Sequence, residues 1–396
     1  MNIKDKLISP LSLFFLGSVF GILPLFDLSF TYNYQHSINV FRVLNVYMLG
    51  GAGFFIGSLL YYISPRQRAE TKSIGIDIAV YSKKYNYLIL CLVLCLLIIV
   101  TINIIKYGGI PILMLINGLS ASEINERQAG FTFGIQSILN YQLIFLLAIK
   151  YIASQEAKKP FFSYVVSLSC FVLFFSMLYA GKRQFLFMAF VMLSGLAFIE
   201  AGIHKNKKLQ NRMIRVSSIG LLFILFVFVL YANIRDGEGQ SSNNWYGPLL
   251  HYLTLPLLNL DRIIQESDLN DNFLGLIDLS MGVLSDVPYS FRDYITSGYS
   301  GVIYNYPLVE KTSPISLYGM VYWGWGKFGV FSYSAILSIV INYFYMKRFS
   351  SIYCRVLYCT CIWPLISLHT YNHFISFMYF FLPLMIFYFI YRFLKR

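Results

Sequence analysis

The chain has 396 residues, of which 57% are hydrophobic and only 12% charged, and its mean hydropathy is +0.62. Soluble domains carry about 25% charged residues, so this composition excludes an ordinary soluble protein and indicates a polytopic membrane protein. The net charge of +13 raises the question of nucleic acid. The cations cluster between apolar runs, however, as the positive-inside rule predicts, and we expect no nucleic-acid partner.

Apolar runs that are long enough to cross a bilayer recur along the whole chain. A spanning helix needs about 20 apolar residues, and about ten runs approach that length. The runs are continuous rather than alternating, which argues against a barrel. We therefore predict an all-α membrane domain over residues 1–396, with helices near Leu7–Phe26, Val43–Ile63, Asn86–Ile105, Phe133–Ile152, Phe161–Tyr179, Gln184–Ile203, Ile214–Ala232, Leu317–Met346, Val356–Leu368 and Phe374–Tyr391.

The basic clusters predict which ends of these helices face the cytoplasm. Alternate connections carry them, at Lys4 and Lys6, Arg66–Lys84, Lys150–Lys159, Lys205–Arg215, Lys347–Arg355 and Arg392–Arg396. Both termini are then cytoplasmic. The first run resembles a secretory signal, but no A-x-A cleavage site follows, so we expect an uncleaved helix. The other face has few cations, namely Arg42, Lys106, Arg127, Lys182, Arg183, Arg235, Arg262, Arg292, Lys311 and Lys327.

Among those outer cations, Lys182 and Arg183 are adjacent in the stretch YAGKRQF, between two apolar runs. A turn this short is no ordinary solvated loop. One interpretation is that the two side chains anchor the helices at lipid headgroups. The other is an anion-binding site at the outer membrane surface.

Residues 233–313 form the longest predicted connection, a large outer loop. Connections of about 2–6 residues are usual, and a loop this long is commonly functional or disordered. The aromatic content argues against disorder, because Tyr246, Tyr299 and other rings offer flat faces that can stack on sugars. The alternative for most of these rings is packing within the loop or at the interface.

Two shorter apolar segments lie on the predicted outer side. GPLLHYLTLPLLNLDRII has helical spacing with a kink at Pro256, and we expect an amphipathic helix on the membrane surface. GGIPILMLINGLS, Gly108–Ser120, is too short to span and predicts a re-entrant or interfacial segment. The six cysteines show neither zinc spacing nor a disulfide framework, so packing in the core is expected.

Several of these segments together resemble a known family. GGIPIL followed by SEINERQAGF, the outer AGKR turn and the loop start IRDGEGQ are similar to the bacterial oligosaccharide repeat-unit polymerases, the Wzy or O-antigen polymerases. The family's loop repeat, an arginine followed by a glycine, is approximated by Arg235 and Gly247. The resemblance implies a membrane glycosyltransferase of the GT-C type at the periplasmic face of the inner membrane. It would transfer a glycan en bloc from undecaprenyl pyrophosphate to a new lipid-linked repeat unit.

The reaction implied by this resemblance needs fixed positive charge near the outer leaflet. Cleavage of the sugar–pyrophosphate bond leaves negative charge on the leaving group, and arginine binds phosphate oxygens in a bidentate way. We therefore expect Arg127, Arg183 and Arg235, with Lys182 and Arg292, to bind the pyrophosphate. The alternative for each is a topological or ion-pairing role, since Glu126 and Asp236 lie close in sequence. No Asp-x-Asp motif occurs on the outer side, so neither a metal nor another cofactor is expected.

The acceptor hydroxyl must also lose a proton to a base. The candidates are His251, His369 and His373, with Glu126 and Asp236 as further possibilities. His369 and His373 have the i, i+4 spacing that places two side chains on one helix face, but further metal ligands are lacking nearby. A histidine that makes one ordinary hydrogen bond is the simpler explanation of each.

The resemblance also implies the partners. The donor and the acceptor are undecaprenyl-pyrophosphate-linked oligosaccharides, held in membrane lipid, and a chain-length regulator protein is a candidate partner. Two other functions fit a similar topology. An O-antigen ligase would transfer the glycan to lipid A core, and a flippase would move lipid-linked oligosaccharide without chemistry. Charges gathered at the outer surface and a single dominant loop favour the polymerase over the flippase.

Overall fold

The structure is a computed structural model that describes residues 8–22, 24, 39–63, 83–107, 109, 131–156, 163–179, 183–204, 206, 208, 210–212, 214–216, 218–220, 222, 226, 247–267, 316–369 and 380–394. These residues form helices and turns, with no strand among them. The helices are α1 (Pro10–Ile22), α2 (Val40–Ile63), α3 (Lys83–Tyr107), α4 (Phe131–Glu156), α5 (Tyr164–Tyr179), α6 (Arg183–Ile203), α7 (Gly247–Ser267), α8 (Leu317–Lys347), α9 (Ile352–Ile366) and α10 (Leu382–Leu394). The predicted all-α character is therefore confirmed for the described part of the chain.

The helices coincide with the predicted apolar runs. The run Val43–Ile63, for example, lies within α2, and Asn86–Ile105 lies within α3. In the run Ile214–Ala232, the described positions 214–216, 218–220, 222 and 226 are also helical. The predicted re-entrant segment Gly108–Ser120 lies outside the described residues except for Gly109.

The relation between hydrophobicity and burial indicates that the protein is embedded in a membrane. The segments Val40–Ile63, Tyr85–Lys106, Gly134–Gln155 and Trp325–Lys347 are long and apolar enough to cross a bilayer. The most apolar of them, in α3, is also the least buried, with 28% of its apolar stretch buried in the protein, against 78% for the segment in α4. An apolar helix that the protein leaves uncovered requires an apolar solvent. Cys91, Cys95 and Cys170 are likewise exposed on such helices and not in the core, whereas Cys354, Cys359 and Cys361 are buried as expected.

One predicted run is broken. Helix α8 contains Gly326, whose φ of 60° and ψ of −155° are not helical, so two helical segments meet there. This positive φ is accessible to glycine at little cost, whereas a side chain would strain it. The second segment, Trp325–Lys347, is the part long enough to span a membrane.

The chain divides into two compact units. The first contains α1, α2, α7, α8 and the end of α9. Its centre is the packing of α2 on α8, where Gly53 and Gly57 face the backbone carbonyl groups of Phe331 and Ala335. Small residues let two helix backbones approach closely, which is a common way to pack helices in a membrane.

The second unit contains α3, α4, α5, α6, α10 and the start of α9. Helix α4 packs on α3, α5, α6 and α10, and residues Tyr141–Lys150 along it are all buried. It is therefore the central helix of this unit, and polar side chains along it find partners within the protein.

Helix α7 corrects one expectation. The sequence predicts a helix here, and Gly247–Ser267 is helical, continuing through Pro256. The helix does not lie on the surface of the first unit, since Leu257, Leu260 and Ile264 are buried and it packs on α8 and α2. The polar Asn259 and Asp261 are buried as well, so both faces of this stretch are covered.

Candidate functional site

A buried polar network joins three helices of the second unit near one end. Asn103 Nδ2 on α3 donates to Gln136 Oε1 on α4 at 2.7 Å. Gln136 Nε2 donates in turn to the carbonyl oxygen and to Oγ of Ser176 on α5, each at 3.0 Å. All three side chains are buried. Amides this deep must be hydrogen-bonded, and these bonds fix the three helix ends beside one another.

The network determines where two connections of the chain leave the helices. Three helix ends lie close in sequence to the network, namely the end of α3 at Tyr107, the start of α4 at Phe131 and the end of α5 at Tyr179. Helix α6, which begins at Arg183, packs on α4 and α5. The connections 108–130 and 180–182 therefore join helix ends on the same side of this unit. The first carries Glu126 and Arg127, and the second carries Lys182 next to Arg183.

Most of the predicted site residues lie outside the described residues. Arg183 is the first residue of α6 and His251 lies in the first turns of α7, and for both only the backbone is described. The remaining predicted site residues outside the described ranges are Glu126, Arg127, Lys182, Arg235, Asp236, Tyr246, Arg292, Tyr299 and His373. His369 is the predicted site residue whose side chain is described.

His369 lies in the turn that follows α9, in the first unit, and is 1% exposed. Its ring stacks on Tyr47 with 4.5 Å between centroids and meets the edges of Tyr318 at 5.2 Å and Phe14 at 5.9 Å. Its Nε2 lies 2.9 Å from Ser18 Oγ on α1. Helix α9 ends at Ile366, so His369 lies beyond it. The i, i+4 spacing of His369 and His373 therefore does not place His369 on a face of that helix.

The hydrogen-bond geometry favours one tautomer of His369. The single hydroxyl hydrogen of Ser18 goes to the carbonyl oxygen of Phe14, at 2.9 Å, as is common for serine inside a helix. Ser18 Oγ therefore accepts from Nε2–H, and Nδ1 keeps its lone pair. Nδ1 is buried without a hydrogen-bond partner.

Burial also lowers the pKa of His369 to about 3, because the charged imidazolium would be desolvated. A general base works best with a pKa near the working pH. This geometry therefore favours a neutral histidine that ties the end of α9 to α1 over the catalytic role predicted from the sequence.

The first unit also contains a polar cluster that the sequence did not predict, formed by Asn39, Arg42, Asp261 and Gln265. Asn39 precedes α2 and caps it, since Asn39 Oδ1 accepts the Arg42 N–H at 3.2 Å. The backbone N–H of Asn39 donates to Asp261 Oδ2 on α7 at 3.2 Å, and Gln265 Nε2 donates to the same oxygen at 3.2 Å. Arg42 Nη1 lies 3.7 Å from Asp261 Oδ1. Burial raises the pKa of Asp261, while the Asn39 N–H and the Arg42 charge oppose that rise.

Polar groups also meet at the other end of the second unit. Lys150 Nζ on α4 donates to Asn86 Oδ1 on α3 at 2.6 Å, and Glu200 on α6 pairs with Arg355 on α9. Within the described residues, no three His, Cys, Asp or Glu side chains are grouped as metal ligands would be.

Comparison with known protein families, with curated proteins and with solved structures finds no match to this chain.

Proposed function

We propose that this protein is a metal-independent membrane glycosyltransferase of the GT-C type that polymerises undecaprenyl-pyrophosphate-linked repeat units. About ten spans in the bacterial inner membrane, with both termini cytoplasmic, would place its reaction at the periplasmic face, as the positive-inside rule predicts. The glycan would pass en bloc to the next lipid-linked unit. The product is then O-antigen or a related surface polysaccharide.

The observation that carries this proposal is the shared end of α3, α4, α5 and α6 in the second unit. The Asn103–Gln136–Ser176 network holds those ends together. The connection 108–130 contains Arg127, the connection 180–182 contains Lys182, and Arg183 is the first residue of α6. Cations in connections that leave one side of a helix bundle would suit an anionic leaving group. Pyrophosphate is such a group, and arginine forks match its oxygens.

The pairing of helix ends agrees with the predicted grouping of those ends into two sides. Ser18, near the end of α1, meets His369 beyond the end of α9, and both ends are predicted to be outer. Lys150 and Asn86 meet at an end that the charge pattern predicts to be cytoplasmic. Each of these two contacts therefore joins groups that the positive-inside rule assigns to the same side.

The test is deletion of the gene in its native strain, followed by gel analysis of extracted surface polysaccharide. Complementation would use wild type, Arg183→Ala, Arg127→Ala and a matched control, Arg212→Ala, an exposed arginine at the predicted cytoplasmic side. We expect a single-repeat band in place of the ladder in the deletion strain. Wild type and Arg212→Ala should restore the ladder, and the two outer variants should not, at equal protein levels.

Other outcomes assign other functions. Loss of every band, including the single repeat, would indicate the ligase or the flippase. An unchanged ladder in the deletion strain would overturn the proposal. A ladder restored by both outer variants would leave a polymerase but remove these arginines from its donor site.

A further inference from the structure

The break in α8 at Gly326 separates a segment that the protein covers from a segment that faces outward. Residues 317–322, before the break, are all buried. After the break, Phe328 is 78% exposed. Further large apolar side chains exposed at helical spacing are Ile336, Val340 and Tyr343. Because Trp325–Lys347 is long and apolar enough to cross a bilayer, this exposed apolar stripe indicates a surface in contact with lipid chains.

The length of this second segment places its start at one edge of the hydrocarbon core. Lys327 and Lys347 are separated by about 20 residues, or about 30 Å along an α-helix, which matches a hydrocarbon core of about 30 Å. The two charges therefore lie at opposite edges of the core. Within the span, Ser332 donates its hydroxyl to the Phe328 carbonyl oxygen at 2.8 Å, so this polar group needs no partner from the lipid.

Two glycines determine how the side chains are arranged at the edge near Lys327. Gly326 has a φ of 60°, and a Cβ there would meet nothing within 4 Å, so the backbone conformation and not crowding requires glycine. A Cβ on Gly329 would overlap the Cβ of Trp325. The lack of that atom lets Trp325 lie against the second segment, 36% exposed and beside the exposed Lys327.

We propose that Trp325 and Lys327 form a membrane anchor that binds an anionic phospholipid. The Lys327 ammonium binds the headgroup phosphate, and the Trp325 ring lies between the headgroups and the acyl chains. Charge selects this partner, because a cation at the bilayer surface attracts anionic lipid. The amphipathic indole ring prefers the same depth. The anchor does not depend on the proposed function, and its residues differ from the cations assigned to the donor site.

Fluorescence quenching by brominated phosphatidylcholine tests the depth of the anchor. The Trp325 signal is the difference in emission between the full-length protein and its Trp325→Phe variant, both in phosphatidylcholine vesicles. We expect bromine next to the headgroup to quench this signal more than bromine near the chain ends. Stronger quenching by chain-end bromine would place Trp325 near the midplane and overturn the anchor. No quenching by either lipid would also overturn it, since another protein chain or water would then cover Trp325.

Brominated phosphatidylglycerol measures the preference for an anionic headgroup at the same place. Phosphatidylglycerol should bind beside Trp325 about fivefold more tightly than phosphatidylcholine, the usual effect of one lysine near the bilayer surface. Lys327→Gln should remove most of this preference, and Lys327→Arg, which retains the charge, should keep it. Equal melting temperatures would show that both variants are folded. An unchanged preference in Lys327→Gln, or a wild-type protein without one, would overturn the proposal.

Discussion

Glu200 on α6 accepts a hydrogen bond from Arg355 on α9, with 2.5 Å between Oε1 and Nη1, and both side chains are buried. Arg355 Nε also donates to the carbonyl oxygen of Arg348 at 2.8 Å. His204, one turn beyond Glu200, has its Nε2 3.7 Å from Oε2. The carboxylate therefore has the Arg355 cation on one side and the His204 imidazole on the other, and its bond to Arg355 ties the end of α6 to the start of α9.

Removal of one partner from this pair should destabilise the protein strongly. Glu200→Ala leaves the Arg355 guanidinium buried without its counter-charge, and such changes cost about 3–5 kcal/mol. Thermal unfolding of the purified protein in detergent should show a marked fall in melting temperature. Glu200→Leu combined with Arg355→Met removes both charges and should recover most of that loss. A Glu200→Ala protein that melts like wild type would show that the pair has no structural role.

The packing of α2 on α8 predicts opposite effects at two nearby glycines. A Cβ at Gly53 would overlap the carbonyl oxygen of Phe331, whereas a Cβ at Gly51 would meet nothing within 4 Å. Gly53→Ala must push two helix backbones apart, and we expect a loss of about 1–3 kcal/mol. Gly51→Ala should gain up to about 1 kcal/mol from helix propensity. Melting temperatures of the two variants test this, and equal shifts would contradict the close approach of α2 to α8.

The positions of the helices could be predicted from the sequence, because each apolar run specifies its own helix without help from distant residues. The break at Gly326 could not, since it lies in the stretch WGWGKFG, where any of the glycines is compatible with a helix end. Hydrophobicity reports that a segment avoids water. It does not report the φ of one residue within it.

The polar pairs show a second limit of prediction from the sequence. Arg42 and Asp261, like Glu200 and Arg355, lie far apart in the chain, and nothing local marks one as the partner of the other. The predicted surface position of α7 was wrong for a related reason. Its spacing of leucines fits a membrane surface as well as it fits a groove between α2 and α8, and burial of Asp261 depends on neighbours that only the fold supplies.

Asn140 predicts a variant that is more stable than the wild type. It lies one turn after Gln136 on α4 and is fully buried, and neither its Nδ2 nor its Oδ1 has a hydrogen-bond partner. An unpaired buried amide costs about 1–3 kcal/mol, so Asn140→Leu should raise the melting temperature. Gln136→Leu is the matched contrast. It removes the acceptor of the Asn103 amide, so it should lower the melting temperature. A lower melting temperature in Asn140→Leu would show that the amide has a partner, such as bound water.

His369 predicts how stability depends on pH. Its folded pKa of about 3 lies below the usual value near 6.5, so the unfolded chain takes up the proton first as the pH falls. The stability that comes from neutral, buried His369 is fully present above about pH 6.5 and is lost toward pH 3, by about 1.4 kcal/mol per pH unit. His369→Gln keeps an N–H donor for Ser18 but does not titrate.

Melting curves of wild type and His369→Gln between pH 7.5 and pH 4 should therefore diverge in favour of the variant as the pH falls. The same comparison applies to catalysis. If polymer synthesis in proteoliposomes has an acidic limb near pH 6.5, that limb should persist in His369→Gln, because a histidine that stays neutral at that pH cannot produce it. Loss of the limb in this variant, or melting curves that stay parallel, would mean that His369 is protonated in the folded protein and would restore it as a candidate base.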